Sequence, residues 1–133
     1  MPSHVLSGIA NIFAGIWWHK DLPYPQVKAF VQEHKKKYQR EPDSYYPSTA
    51  YDAVRILAAA IESAGSLDRT AVRNGLRKAR LTDSLLPGQV LQFQENGQAM
   101  TPFVIVQNKP GDKVDFVYPE DSRTGEVVTR IPR

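Results

Sequence analysis

The segment 47–65, PSTAYDAVRILAAAIESAG, constrains the fold of this chain more than any other. Proline stands where the first turn of a helix needs no N–H, and glycine stands where a helix stops in a left-handed residue, so both ends of a helix are marked. At about 100° per residue, Tyr51, Ala53, Val54, Ile56, Leu57, Ala58, Ala60 and Ile61 occupy well over half of the circumference. Asp52, Arg55 and Glu62 remain as a narrow polar strip. A helix this apolar has to be covered on more than one side, and in an α/β protein the cover is a sheet.

The neighbouring sequence offers little sheet. Ahead of the helix the one convincing strand is 9–18, rich in Ile, Phe and Trp and halted by Asp21, Pro23 and Pro25, and it reads as a buried strand. The wider apolar stretch 5–18 is too short to cross a bilayer as a helix, and no lysine or arginine precedes it as in a signal peptide. Pro25 opens a first helix, in which Val27, Phe30, Val31, His34 and Tyr38 recur at spacings of three and four; it runs to Arg40 and ends against Glu41 and Pro42. Asp68 caps a third helix that carries Val72, Leu76 and Ala79 and fades near Arg80. After it the period falls to two. Residues 90–93, 103–106 and 114–118 read as short strands separated by the turns Asn96-Gly97 and Pro110-Gly111. The tail from Glu120 is polar apart from Val127 and Val128, and its end is expected to be poorly ordered.

Composition narrows the function by exclusion. With 41% hydrophobic and 23% charged residues in 133, the chain has the means to build a core, as one domain or as a piece of a larger one. The absence of cysteine removes disulfides, thiolate nucleophiles and zinc-cysteine sites. No glycine-rich phosphate loop or nucleophile elbow is present, and His4, His19 and His34 do not share a metal-ligand spacing. An enzyme is therefore not expected, and no catalytic residue, metal or cofactor is assigned.

A net charge of +3 permits anionic partners without requiring them. Arg69, Arg73, Arg77 and Arg80 fall within about 80° on the third helix, a stripe that could meet phosphate or an acidic transporter surface and is most simply a solvated face. Lys35, Lys36 and Lys37 fan over about 200° and cannot address one partner together.

The stretch 18–79, from WHKDLPYP through AYDAV at 50–54 and AIESAGS at 60–66 to the third helix, resembles the bacterial receptors for branched-chain amino acids, amides and aromatic acids that serve ABC importers. PGQVLQFQENGQ at 87–98 is similar to that family's glycine, strand and turn, with Gln94 where an aspartate is common. FVIVQ at 103–107 and VYP at 117–119 resemble its closing strands. The resemblance implies an α/β fold of two doubly wound lobes joined by three crossovers, with the ligand held between them. This chain corresponds to the C-terminal third, a partial type I periplasmic-binding-protein lobe with three helices and a few short strands. Such a piece is completed by further chain or by self-association.

On that basis 1–24 would be a strand and hinge crossing, 25–86 the helical part of the first lobe, and 87–133 the hinge and closing strands of the second. The implied function is non-catalytic binding of an amino acid, amide or aromatic acid for an ABC permease, in a periplasmic parent whose targeting signal is not in this chain. Tyr46, by its place before AYDAV, is the first candidate ligand contact, with Tyr45 beside it. Trp18 follows from the WxxDLP pattern, and His19 is read as a half-exposed hinge histidine. Further copies of the chain are expected partners when it is isolated; nucleic acid is not. The rival readings are a stand-alone α/β self-association module and, less favoured, a basic nucleic-acid-binding protein.

Overall fold

The computed structural model describes residues 11–111 and 113–129. Positions 9 and 10 of the first expected strand, and the end of the C-terminal tail, lie outside the described residues. The described elements are β1 (Phe13–Ile16), α1 (Pro25–Tyr38), α2 (Tyr46–Ala64), α3 (Arg69–Lys78), β2 (Arg80–Leu81), β3 (Leu91–Gln92), β4 (Val104–Lys109), β5 (Lys113–Tyr118) and a 3-10 turn, Glu120–Ser122. They form two compact units, Trp18–Pro102 and a second built from the residues on either side of it. The chain passes from one to the other at 17/18 and again at 102/103.

In the helical unit the helix ends follow their signals. Pro25 lies in the first turn of α1, which stops at Tyr38 because Gln39 takes a left-handed conformation, φ 57°, two residues before the expected end. Gly65, at φ 58°, ends α2 and donates its N–H to the carbonyls of Ile61 and Glu62. The Asp68 carboxylate accepts from the N–H groups of Thr70 and Ala71 at 3.0 and 2.9 Å and caps α3. That helix ends at Lys78, so Arg80 belongs to β2 and the helical stripe consists of Arg69, Arg73 and Arg77.

Gly75 lets α3 approach α2 at backbone distance, since a Cβ there would lie 2.5 Å from the Ala60 carbonyl oxygen. Ile56, Ala60, Ala79, Leu81 and Leu91 form the core beneath, with Leu76, Phe93 and Ala99 packed against it. β2 and β3 pair antiparallel over two residues each, and β2 has no sequence signal of its own. The Asn96-Gly97 turn forms as expected, with Gly97 at φ 83°. Residues 87–102, grouped from sequence with the closing strands, belong to this helical unit.

The orientation of α2 departs from the sequence expectation at Asp52, which the polar strip would place outside, while Ile56 and Ala60 are buried as expected. Ser48, Asp52, Ile56 and Ala60, spaced four apart along one line of the helix, are its buried residues. Ala50, Ala53, Val54, Leu57 and Ala58 are exposed, with Val54 at 69%. The polar strip thus turns inward at Asp52 and an apolar face turns outward.

The cause is a hub of hydrogen bonds on the Asp52 carboxylate. It accepts from Ser84 Oγ at 2.7 Å, Leu85 N–H at 2.8 Å and Arg55 Nη1 at 3.1 Å. Arg55 also forks onto Asp83 at 2.6 and 2.7 Å. From α1, Gln26 Nε2 donates to the Ser84 carbonyl at 3.2 Å and to Gln89 Oε1 at 2.9 Å. Both α1 and α2 are therefore tied to the 83–89 loop.

The second unit is a three-stranded antiparallel sheet in the order β1-β4-β5. Expected to be buried, β1 instead alternates between exposed and half-buried, as an edge strand that is paired on one side only among the described residues. Among its described residues Val104, Val106 and Phe116 are the buried apolar ones. The Pro110-Gly111 turn joins β4 to β5, with Gly111 at φ 79°. Gln107 is fully buried and clasps the tail: its Nε2 donates to the Val128 carbonyl at 2.8 Å and its Oε1 accepts from Val128 N–H at 2.9 Å.

Replacing Asp52 by Ala leaves a buried N–H, a buried hydroxyl and a half-buried guanidinium short of an acceptor, and is expected to destabilise the chain by about 3 kcal/mol. Asp52→Asn, which keeps an acceptor oxygen, is expected to cost less. Urea unfolding followed by circular dichroism checks the order; equal loss from both variants would remove the charge and geometry of the hub from its explanation.

Candidate ligand-contact site

Tyr45 and Tyr46 stand where the chain enters α2. The helix starts one residue earlier than its proline suggests, at Tyr46, with Tyr45 as the N-cap. Neither is a side-chain cap. The turn is secured through the Tyr45 carbonyl, which accepts from Ser48 Oγ at 2.7 Å and from Thr49 N–H at 3.0 Å. Pro47 adds a fixed φ and withholds no needed donor. The backbone beneath the two rings is thus firmly held.

The rings stack on one another with centroids 4.3 Å apart and are both exposed, Tyr46 at 66% and Tyr45 at 38%. The hydrogen bond between their hydroxyls, followed by their mutual charge effect, raises the pKa of Tyr45 above the ordinary tyrosine value. A phenol hydroxyl can donate or accept a hydrogen bond. Chemically the pair offers an apolar wall with a polar edge, suited to an apolar or ring-bearing molecule that has one polar group in reach.

The structure separates Trp18 from these two. Trp18 is a core residue, 6% exposed, with its ring edge-on to Phe30 at 6.2 Å, and its indole N–H has no hydrogen-bond partner. Its neighbour Trp17 is the exposed one, as expected for adjacent residues of an extended chain facing opposite ways. Leu22, Tyr24 and Val27 are also buried in the helical unit.

His19, the half-buried neighbour of Trp18, accepts the Asp21 N–H on Nδ1 at 3.2 Å, an arrangement that requires the neutral ring at that nitrogen. Burial lowers its pKa, outweighing the Asp21 carboxylate 3.6 Å away, and Lys20 lowers it further.

A concavity of the helical unit lies between α1 and α2, about 650 Å³ in volume, and is lined by Phe30, His34, Tyr38, Tyr51 and Val54 among others. Neither tyrosine of the candidate pair lines it. Sequence reasoning also missed the Asp52 hub, although the row Ser48, Asp52, Ile56, Ala60 at four-residue spacing carried a signal for it. Among the described residues no group of three or more His, Asp or Glu could hold a metal ion. No described helix is long and apolar enough to cross a membrane.

A helical unit with two short paired strands and a three-stranded sheet unit are thus joined by chain crossings at 17/18 and 102/103, with exposed aromatics at a helix entrance. The periplasmic binding protein family model matches residues 5–113, and the chain belongs to that family. Among solved structures, it is similar to a leucine binding protein from Thermotoga maritima MSB8, with 32% identity and a TM-score of 0.65 over 85% of this chain and 32% of that one. An ABC transporter substrate-binding protein from Desulfitobacterium hafniense, solved in complex with Leu, shares the fold at 21% identity and a TM-score of 0.67, covering 82% of this chain and 32% of that one. So does a leucine-, isoleucine-, valine-, threonine- and alanine-binding protein from Brucella ovis, at 15% identity and 0.64, covering 90% and 34%. The chain spans about a third of the length of the solved structures it matches.

The lowered pKa of His19 makes a pH prediction. Its folded value lies below the unfolded one, so its contribution is fully present above about pH 6.5 and is lost as pH falls through the folded value. His19→Gln is expected to flatten the decline of stability below about pH 6.5. Chemical denaturation at stepped pH measures it, and an unchanged slope would show that the ring protonates without resistance.

Proposed function

We propose that this chain is the part of a periplasmic solute-binding protein that supplies one aromatic wall of the ligand site, in an ABC import system, without catalysis of its own. In this reading the helical unit belongs to one lobe and the sheet unit to the other. The ligand is a branched-chain amino acid or a near relative in size and polarity, such as an amide or aromatic acid. The observation that carries the reading is the pair of exposed tyrosines at the entrance of α2 in a chain 32% identical to a leucine binding protein. Tyr46 is the principal contact and Tyr45 supports its ring; Trp18 stays in the core.

One wall gives little net affinity. Burying an aromatic ring of roughly 150 to 250 Å² at about 25 cal/mol per Å² contributes about 4 to 6 kcal/mol, comparable with the cost of association itself. The isolated chain is therefore expected to bind leucine at millimolar strength or not at all in calorimetric titration. Joined to the two thirds of the Thermotoga maritima protein that it does not match, it is expected to bind leucine tightly, with Tyr46→Ala lowering affinity at least tenfold. Micromolar binding by the isolated chain contradicts the shared-site reading, and an unchanged affinity in the variant contradicts the role of Tyr46.

The apolar outer face of α2 favours association of the isolated chain with its own copies. Sedimentation is expected to show species heavier than 15.0 kDa at high concentration; a lone monomer under those conditions would oppose it.

A further inference from the structure

We propose that α3 and the turn after β3 form a docking surface for an acidic helix of a partner protein. This surface lies wholly in the helical unit and does not depend on the proposed ligand. Residues 68–80 hold Arg69, Arg73, Arg77, Lys78 and Arg80 against Asp68, five cations to one anion, or +4. The whole chain carries +3, which leaves −1 for everything outside the segment. The basic character of the chain is therefore concentrated here. All five cations are exposed. The described arginines elsewhere are engaged with carboxylates: Arg40 with Asp43, Arg55 with Asp52 and Asp83, and Arg123 with Glu120 and Glu126. Among the described residues, Arg69, Arg73, Arg77 and Arg80 meet no carboxylate.

The charge borders a groove. Arg73 and Arg77 line it from α3, Glu95 and Gly97 line it from the turn after β3, and half-buried Leu76 and Phe93 give it an apolar surface, in a volume of about 310 Å³. An adjoining concavity of about 640 Å³ shares Arg77, Phe93 and Glu95 and lengthens it. Successive members of the row Arg69, Arg73, Arg77 stand about 6 Å apart along α3, the same rise that separates carboxylates at every fourth position of a partner helix. Each guanidinium can fork onto one carboxylate, and an apolar side chain between the acids can enter the groove against Phe93. Nucleic acid fits this surface less well, because its phosphates run continuously, leave Leu76 and Phe93 unused and meet the opposing charge of Glu95. A lipid surface is flat, whereas a groove receives a convex element.

The test uses the whole chain and a fluorescein-labelled, alanine-based peptide held helical by a hydrocarbon staple, with glutamate at every fourth position and leucine between the acids. Its comparators are an isomer with the glutamates scattered around the helix, a short DNA duplex and phosphatidylglycerol vesicles. Fluorescence anisotropy at low salt is expected to show the periodic peptide bound about tenfold more tightly than its scattered isomer, and more tightly than the duplex or the vesicles. Arg73→Glu with Arg77→Glu is expected to weaken that binding about tenfold and to leave thermal melting nearly unchanged, since both side chains are exposed. Arg73→Gln with Arg77→Gln, which adds no acidic group, is expected to weaken it in the same direction. Lys36→Glu with Lys37→Glu makes the same change of net charge on α1 and is expected to leave binding within about twofold. Equal affinity for the two peptides, binding indifferent to both α3 variants, an equal loss from the α1 variant, or tighter binding of the duplex or the vesicles would each overturn the proposal.

Discussion

The carboxylate of Asp52 decides how the helical unit is put together. A buried carboxylate is tolerated only when its oxygens are met by donors, and three are gathered on it from α2 itself and from the 83–89 loop. This fixes the rotation of α2 about its axis. It also anchors the loop that leads from β2 to β3, and through Gln26 it ties that loop to α1. The Ile56 and Ala60 side then faces the core because it lies on the same line as Asp52, and Gly75 of α3 fits against Ala60 because nothing larger could. Polarity alone would have placed Asp52 outside; hydrogen-bond satisfaction outweighs the exposure of several apolar side chains.

Each unit closes on a buried polar group of this kind. What Asp52 does for the helices, Gln107 does for the sheet, where its amide replaces two backbone ladder bonds and holds the tail at Val128. Both groups have side-chain exposure of zero, and both connect segments remote in sequence. A chain corresponding to a third of a larger fold thus keeps two locally satisfied cores. Specific polar clasps supply the definition that small apolar cores lack.

The parts of the fold legible in the sequence were those written in punctuation. Pro25, Gly65, Asp68, Asn96-Gly97 and Pro110-Gly111 each impose a backbone state, and each stands at the element end or turn expected of it. The errors lie where a period must be given a direction. Periodicity separated the two faces of α2 but could not say which was inside, because the partners of Asp52 lie more than thirty residues away at Ser84 and Leu85. β2 is two residues long and has no period to detect. The tyrosine pair was located by its place before AYDAV, while its stacking depends on the early start of α2 and on the Ser48 and Thr49 contacts to Tyr45. Trp18 was assigned by likeness of pattern, which carries no information on burial.

The paired crossings at 17/18 and 102/103 have a consequence for the order of assembly on the ribosome. Trp18–Pro102 is one unbroken stretch, whereas Phe13 of β1 waits for Gln107, more than ninety residues later. A nascent chain exposing residues up to 102 already holds Asp52, Ser84 and Gly75 together with every element they join. It also carries β1 before β4, its partner among the described strands, has been translated. Pairing of β1 with β4 therefore closes a long loop after the residues of the helical unit have been made, and among the described strands β1 waits longest for its partner.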